Sequence, residues 1–121
     1  TVGVRGIGPE ARVRSASGGN QQKVLVSRWL LADPPVLIAD EPTRGVDVGS
    51  KRTIYDLLAA QAAAGMGVLI VSSEMEEVLG LAHRILVMRN GRLVADIDGE
   101  TATEEIVVAL AFGTVPPALT A

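Results

Sequence analysis

Two adjacent acidic residues, Asp40 and Glu41, directly follow the apolar run VLIA at residues 36–39. A short apolar run that ends in acids is typical of a β-strand buried on both faces. At the carboxyl end of such a strand, an aspartate can hold Mg²⁺, usually through water, and an adjacent glutamate can orient and deprotonate an attacking water. The pair alone is also typical of the start of an ordinary loop, so this chemistry needs a second indication.

A glycine-rich segment, SASGGNQQKV at residues 15–24, is that second indication. Gly18 and Gly19 let backbone N–H groups approach an anion closely, and Ser17 adds a hydroxyl. The helix predicted to follow would point its positive end at a phosphate. However, the phosphate-binding pattern G-x-x-x-x-G-K-[ST] occurs nowhere in the 121 residues. The segment therefore predicts a phosphate contact but not a P-loop.

The elements that would position these residues alternate between helix and strand. Apolar spacing predicts helices at about 19–32, 48–64 and 74–81 and from 104 to near 112, and strands at 36–39, 68–71 and 85–89. Asn90-Gly91 predicts a β-hairpin after the last of these strands, and Thr103 is predicted to cap the last helix. The alternation predicts an α/β domain with a mainly parallel sheet, whose chemistry lies at the carboxyl ends of its strands.

Composition limits the classes of protein. With 48% apolar and 21% charged residues, the chain of 121 residues is predicted to form one globular domain at most. A net charge of −3 and an aromatic share of 2% argue against a nucleic-acid surface. The absence of cysteine excludes a disulfide framework and a thiolate metal site. Glycine or proline interrupts the uncharged stretches 57–73 and 106–121, so neither predicts a membrane span.

The glycine-rich segment and the acidic strand end together resemble the ATPase domains of ATP-binding-cassette (ABC) proteins. Residues 36–41 are similar to the family's Walker B strand. The residues similar to its signature loop are Ser17, Gly18, Gly19, Asn20 and Gln21. In that family two domains face each other head to tail, and the signature loop contacts the nucleotide held by the partner domain. The resemblance therefore implies that the glycine-rich segment supplies half of a site.

Two further motifs carry the same resemblance. Residues 43–47, TRGVD, are similar to the D-loop, and VSSE at 71–74 places Ser73 at the position of the switch histidine. All four motifs follow the family's order and spacing, and the resemblance covers nearly all of residues 12–112. More narrowly, SGGNQQK, DEPTRGVDVG and SSE resemble the second ATPase domain in the ATP-binding subunits of bacterial ribose-, galactose- or xylose-type sugar importers.

The resemblance implies a fold and a domain organisation. The chain is expected to be the C-terminal half of a P-loop NTPase (ABC ATPase) domain, with a mainly parallel sheet, flanking helices and a terminal β-hairpin. The P-loop would precede Thr1, and its strand would lie between the strands predicted at 68–71 and 85–89. Residues 1–14 would end a helical subdomain or form a loop, 15–112 would be the C-terminal part of the ATPase core, and 113–121 a flexible tail.

The resemblance also implies roles, with ATP and Mg²⁺ as cofactors. Asp40 would hold Mg²⁺ through water, Glu41 would be the catalytic base, and Asp47 would bind nucleotide together with the signature loop. Two departures stand within the signature loop, where Ala16 replaces the usual leucine and Asn20 the more general glutamine. Ser73 replaces the histidine that senses the γ-phosphate, and serine cannot carry its charge, which implies weak or absent turnover at the chain's own site.

The implied partners are a second ABC ATPase domain, membrane permease subunits and, indirectly, a sugar-binding protein. The implied place is the cytoplasmic face of a bacterial membrane, and nucleic acid is not an implied partner. Two other interpretations stay open: a non-catalytic regulatory or interaction module, and an ABC-like ATPase of DNA repair or chromosome maintenance. The lack of a basic patch and of long heptad segments disfavours the second of these. A P-loop upstream in the parent chain would favour the importer over the first.

Overall fold

The computed structural model describes residues 20, 21, 24, 27, 28, 31 and 34–114. Its elements are β1 (Val36–Asp40), α1 (Val48–Ala63), β2 (Gly67–Val71), α2 (Met75–Leu81), β3 (Arg84–Arg89), β4 (Arg92–Asp98) and α3 (Glu104–Phe112). The described residues between 20 and 31 are all helical, as predicted. Three parts of the sequence-based prediction lie outside the described residues: the segment 1–14, residues 115–121 of the tail, and the phosphate-contacting residues Ser17, Gly18 and Gly19. The chain divides into two compact units, residues 1–73 and 74–121.

The first unit is built around a strand–helix–strand motif. β1 and β2 pair in parallel, from Val36 opposite Gly67 to Asp40 opposite Val71. A parallel pair needs a crossover connection, and α1 provides it. Leu37 of β1 packs with Ile54 and Leu58 of α1, because alternate strand residues and every third or fourth helix residue share a face. This packing holds the carboxyl ends of both strands side by side.

The prediction that the first strand is buried on both faces is wrong for the chain as described. Its side chains alternate: Leu37 is 6% exposed, whereas Val36 is 59% and Ile38 66% exposed. β2 alternates in the same way, with Leu69 46% and Val71 50% exposed. Within the described residues of this unit, α1 covers one face of the strand pair, and the apolar side chains of the other face have no second layer. An apolar run indicates that a strand is suited to burial, but it does not indicate which element would cover each face of the strand.

The second unit packs α2 and α3 with a β-hairpin. β3 and β4 are antiparallel, and the turn between them has Asn90 at φ 51° and Gly91 at φ 73°. Both turn residues need positive φ in a two-residue hairpin, so the hairpin predicted from Asn-Gly is confirmed. A bulge between Val87 and Met88 shifts the register. The buried core of this unit comprises Ile85, Val87 and Val107.

Local capping chemistry fixes the ends of α3. The Thr103 hydroxyl oxygen accepts a hydrogen bond from the Ile106 N–H at 3.3 Å, which confirms the predicted cap. At the other end Gly113 has φ 80°, the left-handed conformation that often terminates a helix.

On the hairpin, the Arg84 guanidinium donates to the Asp96 carboxylate at 2.7 Å, and this hydrogen bond lowers the pKa of Asp96.

The described strands form two separate two-stranded sheets, β1–β2 and β3–β4. β2 and β3 are therefore not paired with each other, although they follow one another in the chain. The further strand that the resemblance places between them stays a prediction. The predicted α/β class is confirmed, with one parallel pair and one antiparallel hairpin. Within the described residues, no helix is long and apolar enough to cross a membrane.

We expect Gly99→Ala to loosen the hairpin. The Gly99 N–H donates to the His83 carbonyl oxygen at 2.9 Å, and a Cβ at residue 99 would collide with the Ala82 carbonyl oxygen. A backbone shift of this kind costs about 1–3 kcal/mol. Hydrogen exchange of the β3 and β4 amides should become about tenfold faster or more. Gly80→Ala is the matched control, because a Cβ at residue 80 has nothing within 4 Å and alanine favours a helix. Equal exchange in both variants would contradict the expectation.

Candidate functional site

The carboxyl end of β1 carries the two acids that the sequence singled out. Asp40 is the last residue of β1, opposite Val71 at the end of β2, and its side chain is exposed. Glu41 follows at once and is half-buried. The parallel pairing thus brings both acids to the edge of the sheet where α/β proteins bind their ligands.

The backbone of Glu41 adopts an unusual conformation. Its φ is 48°, in the left-handed region that a non-glycine residue rarely occupies. Its N–H donates to the Val71 carbonyl oxygen at 2.7 Å, and its carbonyl oxygen accepts from the Arg44 N–H at 3.1 Å. These two hydrogen bonds end the strand and open a turn. Residues in such conformations cluster at functional sites, where the surrounding structure holds them.

Ser73 and Glu41 lie together, although 32 positions separate them in the chain. The Ser73 hydroxyl donates to Oε2 of Glu41 at 3.2 Å. Ser73 comes two residues after β2, so the contact joins the ends of the two paired strands. The sequence placed Ser73 here only through the resemblance; no local pattern of residues indicated the contact.

Asp47 has a structural contact. Its carboxylate accepts a hydrogen bond from the Ser50 N–H at 3.0 Å and so caps the N-terminus of α1. Thr43 and Val46, earlier in the same segment, are 1% and 8% exposed and anchor it. The segment that resembles the D-loop is thus tied to the helix that follows it, while Asp47 itself stays exposed.

Asn20 and Gln21 are helical and half-buried. With Ser17, Gly18 and Gly19 outside the described residues, the glycine-rich segment keeps its sequence-based prediction of a phosphate contact.

The acids at the end of β1 suit a magnesium ion only together with other ligands. Within residues 34–114 and the described helical positions before them, no group of three or more His, Cys, Asp and Glu side chains could hold a metal. A single exposed carboxylate such as Asp40 is nevertheless what Mg²⁺ uses when nucleotide phosphates and water supply the remaining oxygens. The donor set therefore fits Mg²⁺ delivered with a nucleotide.

The chain is similar to known proteins in both sequence and structure. A sequence model described as "ABC transporter" matches residues 4–44. The ATP-binding cassette MJ1267 of an ABC transporter, solved in its ADP conformation, is 28% identical, with a TM-score of 0.69 over 82% of this chain and 41% of that one. The dimeric, post-hydrolysis cassette MJ0796 bound to ADP and Pi is 27% identical, with a TM-score of 0.63 over 70% of this chain and 37% of that one.

These matches, together with the relative described next, show that the chain is a fragment of an ABC transporter ATPase domain, as the resemblance implied. Among curated relatives, it is 52% identical over 113 residues to the ribose import ATP-binding protein RbsA 1 of Streptomyces avermitilis. This match covers 93% of the chain but 22% of that relative, so the chain spans about a fifth of the relative's length.

Proposed function

We propose that the chain is part of the ATP-hydrolysing component of a bacterial ABC importer for a monosaccharide. The observation that carries this proposal is the pair Asp40 and Glu41 at the carboxyl end of β1, in a chain 52% identical to a ribose import ATP-binding protein. The name of that relative makes ribose the first sugar to test, and galactose and xylose follow from the sequence resemblance.

Each strand-end acid has a role in this proposal. Asp40 holds Mg²⁺ through water, and the bound ion neutralises phosphate charge during hydrolysis. Glu41 orients the attacking water and accepts its proton. Asp47 follows these two acids closely in the sequence. It contributes to nucleotide binding from the exposed start of α1.

The glycine-rich segment serves a different site. Ser17, Gly18, Gly19, Asn20 and Gln21 contact the nucleotide on a second ABC ATPase domain placed head to tail. The dimeric state of the similar cassette MJ0796 supports such a partner. Membrane permease subunits bind the assembled pair at the cytoplasmic face of the membrane, and a sugar-binding protein acts through them.

The domain limits follow from the same proposal. Residues 15–112 belong to the ATPase core, 1–14 to the end of a helical subdomain or a loop, and 113–121 to a tail.

The test is sugar-stimulated ATP hydrolysis by the transporter that contains this sequence, reconstituted in lipid vesicles with its binding protein. We expect the rate to rise when ribose is added, because the loaded binding protein signals through the permease to the paired ATPase domains. A basal rate that none of ribose, galactose and xylose changes would contradict a role in import of these sugars. No hydrolysis at all, with or without sugar, would instead favour the non-catalytic module. Vesicles without the binding protein are the control.

A further inference from the structure

We propose that Ser73 is a positioning residue for Glu41, whose hydroxyl holds the Glu41 carboxylate where it can act on a water at the end of β1. This inference rests on the proposed role of Glu41 as the base. It goes beyond that role, because it gives a task to the serine that replaces the family's histidine.

Two hydrogen bonds tie Glu41 to the end of β2. The backbone N–H of Glu41 donates to the Val71 carbonyl oxygen at 2.7 Å, and its Oε2 accepts from the Ser73 hydroxyl at 3.2 Å. The two residues that bind Glu41 are close in sequence: Val71 is the last residue of β2, and Ser73 follows two residues later. Because β2 pairs with β1 along its whole length, both hydrogen bonds join the ends of two paired strands.

The left-handed backbone of Glu41 makes the contact with Ser73 possible. Regular alternation along β1 would place residue 41 on the same face as Leu37 and Ala39, which α1 covers. With φ at 48°, Glu41 leaves that alternation and its carboxylate reaches Ser73. The strained backbone and the side-chain hydrogen bond thus act together on one carboxylate.

The contact suits orientation. A glutamate side chain has three rotatable bonds and loses much freedom when it is held in one rotamer. A hydroxyl that donates to a carboxylate restricts this freedom without adding charge. Ser73 is exposed and Glu41 only half-buried, so water can reach the carboxylate. Serine lacks the positive charge with which the family's histidine would contact the γ-phosphate. Orientation of Glu41 does not need that charge, because it requires only a hydrogen-bond donor.

The test is a double-mutant cycle in the reconstituted transporter, with Ser73→Ala, Glu41→Gln and the double variant. The Glu41-dependent rate is the rate that Glu41→Gln removes. We expect Ser73→Ala to lower that part of kcat about tenfold, because a misplaced base loses its water. The KM for ATP should stay within about twofold, since the carboxylate position matters in the transition state more than in binding. The double variant should match Glu41→Gln, because Ser73 acts through Glu41.

Two further variants separate orientation from general damage. Ser73→Thr keeps the hydroxyl and should restore most of the Glu41-dependent rate. Thr53→Ala removes a hydroxyl that donates to the Gly49 carbonyl oxygen within α1, and it should behave like the unmodified protein. Together they show whether the hydroxyl at position 73 is what matters.

The outcomes are distinguishable. If Glu41→Gln leaves the rate unchanged, the site at the end of β1 contributes no hydrolysis, and the proposed role of Glu41 as the base fails together with the inference. If Glu41→Gln lowers the rate while Ser73→Ala does not, the base stands and the positioning role is overturned. A double variant clearly slower than Glu41→Gln would also overturn it, because Ser73 would then act independently of Glu41.

Discussion

Ser17→Arg is expected to abolish sugar-stimulated ATP hydrolysis by the transporter, whereas Glu41→Gln is expected to leave a substantial fraction. Ser17 belongs to the segment proposed to contact the nucleotide on the partner domain, and two glycines follow it, which lets the backbone approach a phosphate closely. An arginine there places bulk and charge against the γ-phosphate and prevents closure of the two domains. The site on the partner's P-loop would be lost.

Glu41→Gln acts on the other site. It removes the proposed base only from the site proposed to form with this chain's own strand-end acids. Ser73 stands there in place of a histidine, and serine offers the γ-phosphate no positive charge. That site is expected to contribute the smaller part of hydrolysis, so its loss leaves most of the rate.

The measurement compares both variants in reconstituted vesicles with sugar-loaded binding protein. Ser17→Ala is the matched control, because it removes the hydroxyl without adding bulk, and it should keep more activity than Ser17→Arg. Equal loss in Glu41→Gln and Ser17→Arg would mean that the two sites are equivalent. The argument from Ser73 to a weak site would then be wrong, although Ser73 could still orient Glu41.

Local chemistry made much of the fold predictable. Asn90-Gly91 specifies a tight hairpin because both residues tolerate positive φ, and Thr103 specifies a helix start because its hydroxyl reaches a free N–H. The acids after residue 39 marked the carboxyl end of a strand, and the structure places Asp40 at that end and Glu41 just after it. Each of these signals needs only a few neighbouring residues, so each can be seen without a structure.

Longer-range features were not predictable in this way. The exposed faces of Ile38 and Leu69 depend on which layers cover the sheet, and an apolar run does not contain that information. The left-handed φ of Glu41 results from hydrogen bonds to Val71 and Arg44, and residues before proline do not usually adopt it. Its contact with Ser73 exists only because two strands pair in register. The residues at the strand end could be predicted from the sequence, but their geometry could not, and the chemistry proposed for them stays a prediction.

The second large effect is an absence of binding: the 121-residue chain by itself should show no Mg-ATP binding in the micromolar range. The β- and γ-phosphates of ATP need a nest of backbone N–H groups and a lysine, and the sequence has no P-loop pattern to supply them. The proposed roles leave the chain with one water-mediated magnesium ligand, Asp40, and with carboxylates that repel phosphate. Its net charge of −3 adds to that repulsion at low salt.

Isothermal titration calorimetry of the chain with Mg-ATP tests this directly, with Mg²⁺ alone as the reference titration. The expected result is heats that match dilution up to about millimolar nucleotide, since one water-mediated magnesium ligand cannot offset the entropy of immobilising a nucleotide. A saturable micromolar isotherm near one-to-one stoichiometry would contradict it. In that case, Asp40→Asn and its matched control Asp56→Asn, an exposed carboxylate on α1 that pairs with Arg52, would show whether the binding uses the strand end. Loss in the first variant alone would mean that the acids at the end of β1 form a nucleotide site without a P-loop.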